Sequence, residues 1–140
     1  MVYHIFMIYQ QNGISYIYDF VNKDFIIPIY TSVANNNFNI SNLLLDYGAD
    51  INYTKNCNYL YNIIIYLYRN KLLNFENLMY ILDNGFEIYK AYDNIIDNFI
   101  GSNYFDTSKE EDKKYFEYSN SFLEIFLKKN KRIPYKNLPL

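Results

Sequence analysis

Residues 39–52 read NISNLLLDYGADIN, an apolar run, a glycine and a polar ending. Within it Ile40, Leu43, Leu44 and Tyr47 recur at the spacing that aligns side chains along one face of an α-helix. Gly48 follows the last of them. A glycine just past a helix end suits the left-handed conformation, which costs a residue with a Cβ about 1 to 2 kcal/mol. The spacing predicts a helix that stops at Tyr47 or Gly48, and then a turn.

The same ending recurs along the chain. Residues 77–88, NLMYILDNGFEI, put Gly85, Glu87 and Ile88 where the first stretch has Gly48, Asp50 and Ile51, 37 residues further on. A weaker third copy runs from Ser121 to Asn130 and on into Lys131, Arg132 and Ile133; Asn130 takes the glycine place, and Asn is the next most tolerant residue at positive φ. Ile5 to Tyr9, followed by Gln10, Gln11, Asn12 and Gly13, reads as a truncated fourth copy, 35 residues before Gly48. Repeats of this period mean stacked helical units. Upstream of the opening stretch, Pro28 suits the first turn of another helix, on which Ile29, Ser32 and Val33 share a face of small and apolar residues. Each unit then reads as helix, short connection, helix, glycine stop and extended hook.

This order resembles the ankyrin repeat, whose pattern is Thr-Pro-Leu-His, small residues, a turn, Leu-Leu, two residues and Gly-Ala-Asp-Val-Asn. Residues 22–54 fit one 33-residue unit without a gap, with Pro28, Leu44, Leu45, Gly48, Ala49, Asp50, Ile51 and Asn52 in register. Three departures stand out. Ile27 replaces the family's capping threonine, removing a hydroxyl worth about 1 kcal/mol. Tyr30 replaces the histidine that ties neighbouring repeats, so that network differs or is absent, and Asn36 and Asn37 stand where the family has Gly-His. The second unit, 55–89, keeps Leu60, Ile63 and Ile64 as a first-helix face but lacks proline and has a longer middle. The third, 90–140, is longer still, with Lys109 to Lys114 read as a solvated loop and helix start, and 1–21 is a partial N-terminal repeat. What the resemblance implies is an all-α fold: an α-solenoid of ankyrin-like helix-turn-helix repeats with short β-hairpin-like hooks, one domain over 1–140.

Composition narrows the function classes. With 140 residues and 51% hydrophobic content, the chain has room for one compact domain or a few stacked units. The charged fraction is 20% and the formal net charge -2, so no broad cationic face is at hand to neutralise phosphates, and nucleic acid is not an expected partner. Eighteen Tyr and eleven Phe supply more ring surface than an ordinary core needs, which suits an interface; yet Asn, Ile, Tyr, Phe and Lys rise together, as a biased codon pool makes them do. Cys57 is the sole cysteine, which excludes an intramolecular disulfide and fits a reducing compartment. The longest apolar run, Ile63 to Tyr68, is far short of the roughly 20 residues a membrane-spanning helix needs. Val2 to Tyr9 lacks the basic start and small-residue end of a signal peptide. The expected setting is cytoplasmic. Lys128, Lys129, Lys131 and Arg132 leave a nuclear address open, although cations before Pro134 first suggest a helix C-terminus.

Little in the chain carries bond-making chemistry. His4 has no partner histidine, and nothing near Cys57 in sequence lowers its thiol pKa. Asp93 with Asp97, and Glu110 with Glu111 and Asp112, are carboxylate groupings of the kind that ordinarily form a wetted helix face. Gly13, Gly48, Gly85 and Gly101 are too far apart for a phosphate loop. The expectation is a non-enzyme with no cofactor or metal. The ankyrin resemblance implies a monomeric interaction module whose hooks and first helices line a groove for an unidentified protein partner. By position that groove takes Lys23, Asp24, Ile26, Ala34 and Asn35 from the first full unit. From the hooks it takes Tyr53, Thr54, Lys55, Asn56, Tyr89, Lys90 and Tyr92, with the tyrosines as hot spots. The competing expectation is a structural segment or cap of a longer ankyrin-repeat protein, with no binding site of its own.

Overall fold

The computed structural model describes residues 27–56, 60–101 and 105–130. The fold is predominantly helical with one short ribbon: α1 (Pro28–Ala34), α2 (Phe38–Asp46), β1 (Lys55–Asn56), β2 (Leu60–Tyr61), α3 (Ile63–Arg69), α4 (Phe75–Asp83), α5 (Ile88–Gly101), α6 (Glu110–Asn120) and α7 (Phe122–Asn130). The chain divides into two compact units between Tyr53 and Thr54. No helix among the described residues is long and apolar enough to cross a membrane. His4, the truncated copy ending at Gly13, Cys57 and residues 131–134 lie outside the described residues, as do the groove candidates Lys23, Asp24 and Ile26.

In the first unit, α1 begins with Pro28 at its first position and no side-chain cap from Ile27. It ends at Asn36, left-handed at φ 53. There the Asn36 N–H donates to the Val33 carbonyl (3.0 Å) and the Asn37 N–H to that of Ser32 (2.9 Å), the paired bonds of a Schellman lock. Asn37 then caps α2 through its side chain. The far end of α2 closes identically: Gly48 sits at φ 98, its N–H donating to Leu45 (3.0 Å) and the Ala49 N–H to Leu44 (2.9 Å). The glycine stop falls where the spacing put it.

The buried stripe of α2 does not. Leu44 and Ser41 face inward, whereas Leu43 is 41% and Tyr47 51% exposed. A hydrogen bond of 2.8 Å between the Ser32 and Ser41 hydroxyls, where α1 meets α2, decides the rotation. Turning α2 to bury Leu43 would break this bond across the helix pair and leave each hydroxyl only its local one, Ser32 to the Ile29 carbonyl (3.2 Å) and Ser41 to that of Asn37 (3.1 Å). Tyr30 donates its phenolic proton to the Tyr53 carbonyl and meets the Tyr53 ring edge-on at 6.4 Å. It ties α1 to the hook of its own unit. The hook is turned by Asp50, whose Oδ1 accepts from the Asn52 N–H at 2.8 Å.

The second unit opens with the β1–β2 ribbon, pairing Lys55 with Tyr61 and Asn56 with Leu60, so Leu60 belongs to the ribbon and not to a helix face. Asn62 caps α3, its Oδ1 accepting from the Ile65 N–H at 3.0 Å, a service Ile27 cannot give α1. Ile63, Ile64, Ile65 and Leu67 are buried. α3 ends at Lys71, left-handed at φ 57, in the same lock: Lys71 N–H to Tyr68 (3.1 Å) and Leu72 N–H to Leu67 (2.8 Å). Leu72 and Leu73 follow before Asn74 forms a capping box with Asn77 at the start of α4. Gly85, at φ 90, ends that helix, with the Phe86 N–H on the Ile81 carbonyl at 3.3 Å. The expected longer middle is therefore Leu72 and Leu73: Asn35 to Asn37 join the first helix pair, Asn70 to Asn74 the second.

Beyond Gly85 the repeat pattern breaks, and three expectations are corrected. No hook follows the second pair, because α5 starts at Ile88 and places Tyr89, Lys90 and Tyr92 on a helix. Glu87 stands where the first unit has Asp50. Its longer side chain takes Lys90 Nζ (2.8 Å) and Tyr89 Oη (2.7 Å), while buried Phe86 and Ile88 lead the chain straight into helix. Second, α7 runs through Asn130, which is its last helical residue and not a left-handed stop; without glycine, nothing favours an earlier exit. Third, the charged stretch Lys109 to Lys114 is not wholly solvated: α6 starts at Glu110, and Asp112 is only 8% exposed.

Aromatic rings fill the second unit. Tyr68 of α3 stacks on Phe99 of α5 with centroids 3.8 Å apart and meets Phe105 edge-on at 5.1 Å. Phe99 in turn meets Phe126 of α7 at 5.2 Å, and Tyr118 of α6 meets Phe122 at 5.1 Å. Much of the ring surplus that suited an interface is thus spent on joining α3, α5, α6 and α7.

Candidate functional site

In the first unit, Ala34 and Asn35 close α1, and the exposed Asn35 turns its amide back, donating to the Thr31 carbonyl at 3.0 Å. Tyr53 is half-buried, its carbonyl and ring both engaged by Tyr30. Tyr53 therefore works first as a brace for the hook, and its ring is not a free anchor.

In the second unit, Thr54 leads into the ribbon, Lys55 and Asn56 form β1, and Tyr89, Lys90 and Tyr92 lie on the first turns of α5. The last group is separate from the ribbon and locally self-satisfied. Tyr89 and Lys90 share the Glu87 carboxylate, with the Lys90 ammonium 5.8 Å from the Tyr89 ring centre. Those contacts hold the Glu87 carboxyl below the usual carboxylate range, chiefly through Lys90, and raise both the Tyr89 phenol and the Lys90 ammonium.

A different cluster stands at the end of α3. Arg69 donates from Nε (3.1 Å) and Nη2 (2.9 Å) to Oδ1 of Asn98 on α5, and its guanidinium lies 5.2 Å from the Tyr61 ring centre. Asn98 is oriented by its own Nδ2, which donates to the Asn94 carbonyl at 2.8 Å. Tyr61 meets Tyr66 edge-on at 6.3 Å, and burial pushes the Tyr66 phenol above its ordinary value. Arg, Tyr and Tyr are thus held in fixed, half-buried poses by a ribbon and two helices, the side-chain types that dominate binding energy at protein interfaces. Arg69 and Asn70 occupy in the second pair the place of Ala34 and Asn35 in the first, 35 residues earlier. Aligning the units on their glycines, 37 residues apart, hides this by the two residues of the longer connection. Aligning on the first helices would have exposed Arg69.

As to bond-making chemistry, Asp93 and Asp97 are both exposed on α5. Among the described residues no group of three or more His, Cys, Asp and Glu side chains converges as a metal cage would require. Asp112 is a carboxylate with partners from distant segments: the Lys71 ammonium, then the Asp106 backbone N–H (2.9 Å to Oδ2), hold it below its usual range. These partners bolt segments together and leave no nucleophile beside a base. Comparison of the chain with protein-family models, with curated proteins and with solved structures returned no match in any of the three.

Proposed function

We propose that this chain is a non-enzymatic protein-interaction module of the ankyrin kind, and that in its second unit the partner is gripped by Tyr61, Tyr66 and Arg69, with Lys55 beside them. The observation that carries this reading is the duplicated helix pair: a short helix, a left-handed exit, an Asn-capped longer helix and a left-handed glycine, built twice, with the N–H after each left-handed residue bonded five residues back. Such units present pre-ordered side chains, so little conformational freedom is lost on binding. The test is capture of partners from native cell extract by cross-linking, comparing the wild type with a Tyr66→Ala, Arg69→Ala double variant. A captured protein should fall at least about tenfold with the double variant and stay level with Tyr89→Ala, matched melting curves confirming that both fold. Equal capture by wild type and double variant, or loss on Tyr89→Ala alone, moves the site elsewhere.

One observation favours the structural alternative, a segment or cap of a longer array: Ile100 on α5 and Leu127 on α7 are 71% and 47% exposed. If they await a further repeat, the chain should self-associate at high concentration, and Ile100→Lys with Leu127→Lys should abolish this in sedimentation experiments. A chain that stays monomeric without the substitutions removes that reading.

A further inference from the structure

We propose that α6 is a releasable strap, latched onto the segment Lys71 to Phe75 and able to open while α5 and α7 stay packed. Three contacts step along both partners together. Asp112 pairs with Lys71, Tyr115 donates its phenolic proton to the Leu73 carbonyl (2.8 Å), and the Phe75 N–H donates to the Tyr118 hydroxyl (3.0 Å). On α6 these residues are three apart and share one side; on the receiving segment they are two apart. Three helical residues advance about 4.5 Å and two extended ones about 6.6 Å, a mismatch that the long Lys and Tyr side chains absorb.

The latch combines polar, directional contacts with the ring edges of Tyr115 and Tyr118, which meet Tyr68, Phe105 and Phe122. The most deeply buried residues of α6, Asp112 and Ser119, are both polar, whereas α5 and α7 bury Ile95, Phe99, Phe122 and Phe126. The receiving segment contains Leu72 and Leu73, the two residues by which this helix pair exceeds the first, so the insertion and the strap fit one another. One carboxylate carries the bolt: Asp112 holds Lys71 through Oδ1 and the Asp106 N–H through Oδ2, with Lys109 the other charged neighbour. Lys71 bears the left-handed φ of 57 that a lysine does not favour, so the ion pair also steadies a strained exit. Opening frees the Leu73 carbonyl and the Phe75 N–H, next to the exposed side chains of Leu72 and Phe75.

Hydrogen–deuterium exchange on the full chain at neutral pH tests this, using Asp112→Asn and Tyr115→Phe. The first keeps an acceptor for Asp106 but loses the charge; the second keeps the ring against Tyr68 and Phe105 but loses the bond to Leu73. Amides of 110–120 should exchange about tenfold faster in both variants, with α3, α5 and α7 at wild-type rates. Unchanged α6 exchange in both overturns the strap, and so does acceleration that spreads equally through α5 and α7. Should Asp112→Asn fail to fold, Tyr115→Phe alone decides.

Discussion

A Tyr68→Ala variant should lose about 3 to 5 kcal/mol of unfolding free energy, the range for removing a large ring from a packed interior. The Tyr68 ring is 1% exposed, lies flat on Phe99 and is edged by Phe105, with Tyr115 tilted against it at 6.4 Å. Those neighbours come from α5, α6 and the loop between them, so no single side chain can move in to fill the space. Part of the loss is the transfer of the ring to water and part is the void left behind, and the two add. Urea unfolding followed by circular dichroism reads the effect. A loss below about 1 kcal/mol would mean that the ring stack is not what joins α3 to α5.

Gly48→Val is the second large effect, at about 1 to 3 kcal/mol, because a β-branched residue is a genuine outlier at the φ of 98 found there. Keeping both exit bonds forces the strain; relaxing φ forfeits the Ala49 to Leu44 and Gly48 to Leu45 bonds and redirects the hook that Asp50 turns. Gly85→Ala separates conformation from crowding. A Cβ there meets nothing within 4 Å, so any loss at its φ of 90 comes from the backbone alone. Thermal melts of both variants check this, and an unchanged midpoint at each position would remove the left-handed exit as a determinant of the fold.

What was legible in the residues tracks how local its physics is. Gly48 and Gly85 could be read because glycine has few other reasons to follow an apolar helical stripe. Lys71 could not, since lysine carries no signal for positive φ and is steadied by Asp112, a residue 41 positions away. The rotation of α2 escaped for a related reason: the weight of Leu43 and Tyr47 outvotes Ser41 in any reading by hydropathy, but Ser41 has a hydroxyl partner in Ser32 that only the crossing of two helices supplies. At the candidate site, hook residues were placed by analogy to the first unit, but Ala49 to Thr54 and Phe86 to Ala91 differ at nearly every position, and the second stretch enters a helix at Ile88. The asparagine surplus, set down to codon bias, has structural work at helix boundaries. Asn37, Asn62 and Asn74 cap helix starts, while the amides of Asn35, Asn70 and Asn84 bond the carbonyls of Thr31 (3.0 Å), Tyr66 (2.8 Å) and Tyr80 (2.8 Å) at helix ends.

Among the described residues, left-handed exits hold Asn36, Gly48, Lys71 and Gly85, three amino-acid types in one backbone role. What these positions share is a dihedral angle and its main-chain bonds, with the side chain adding a cost of about 1 to 2 kcal/mol wherever glycine is absent. The letters at the exits can therefore differ while the chain turns in the same way: asparagine and lysine follow α1 and α3, and glycine follows α2 and α4.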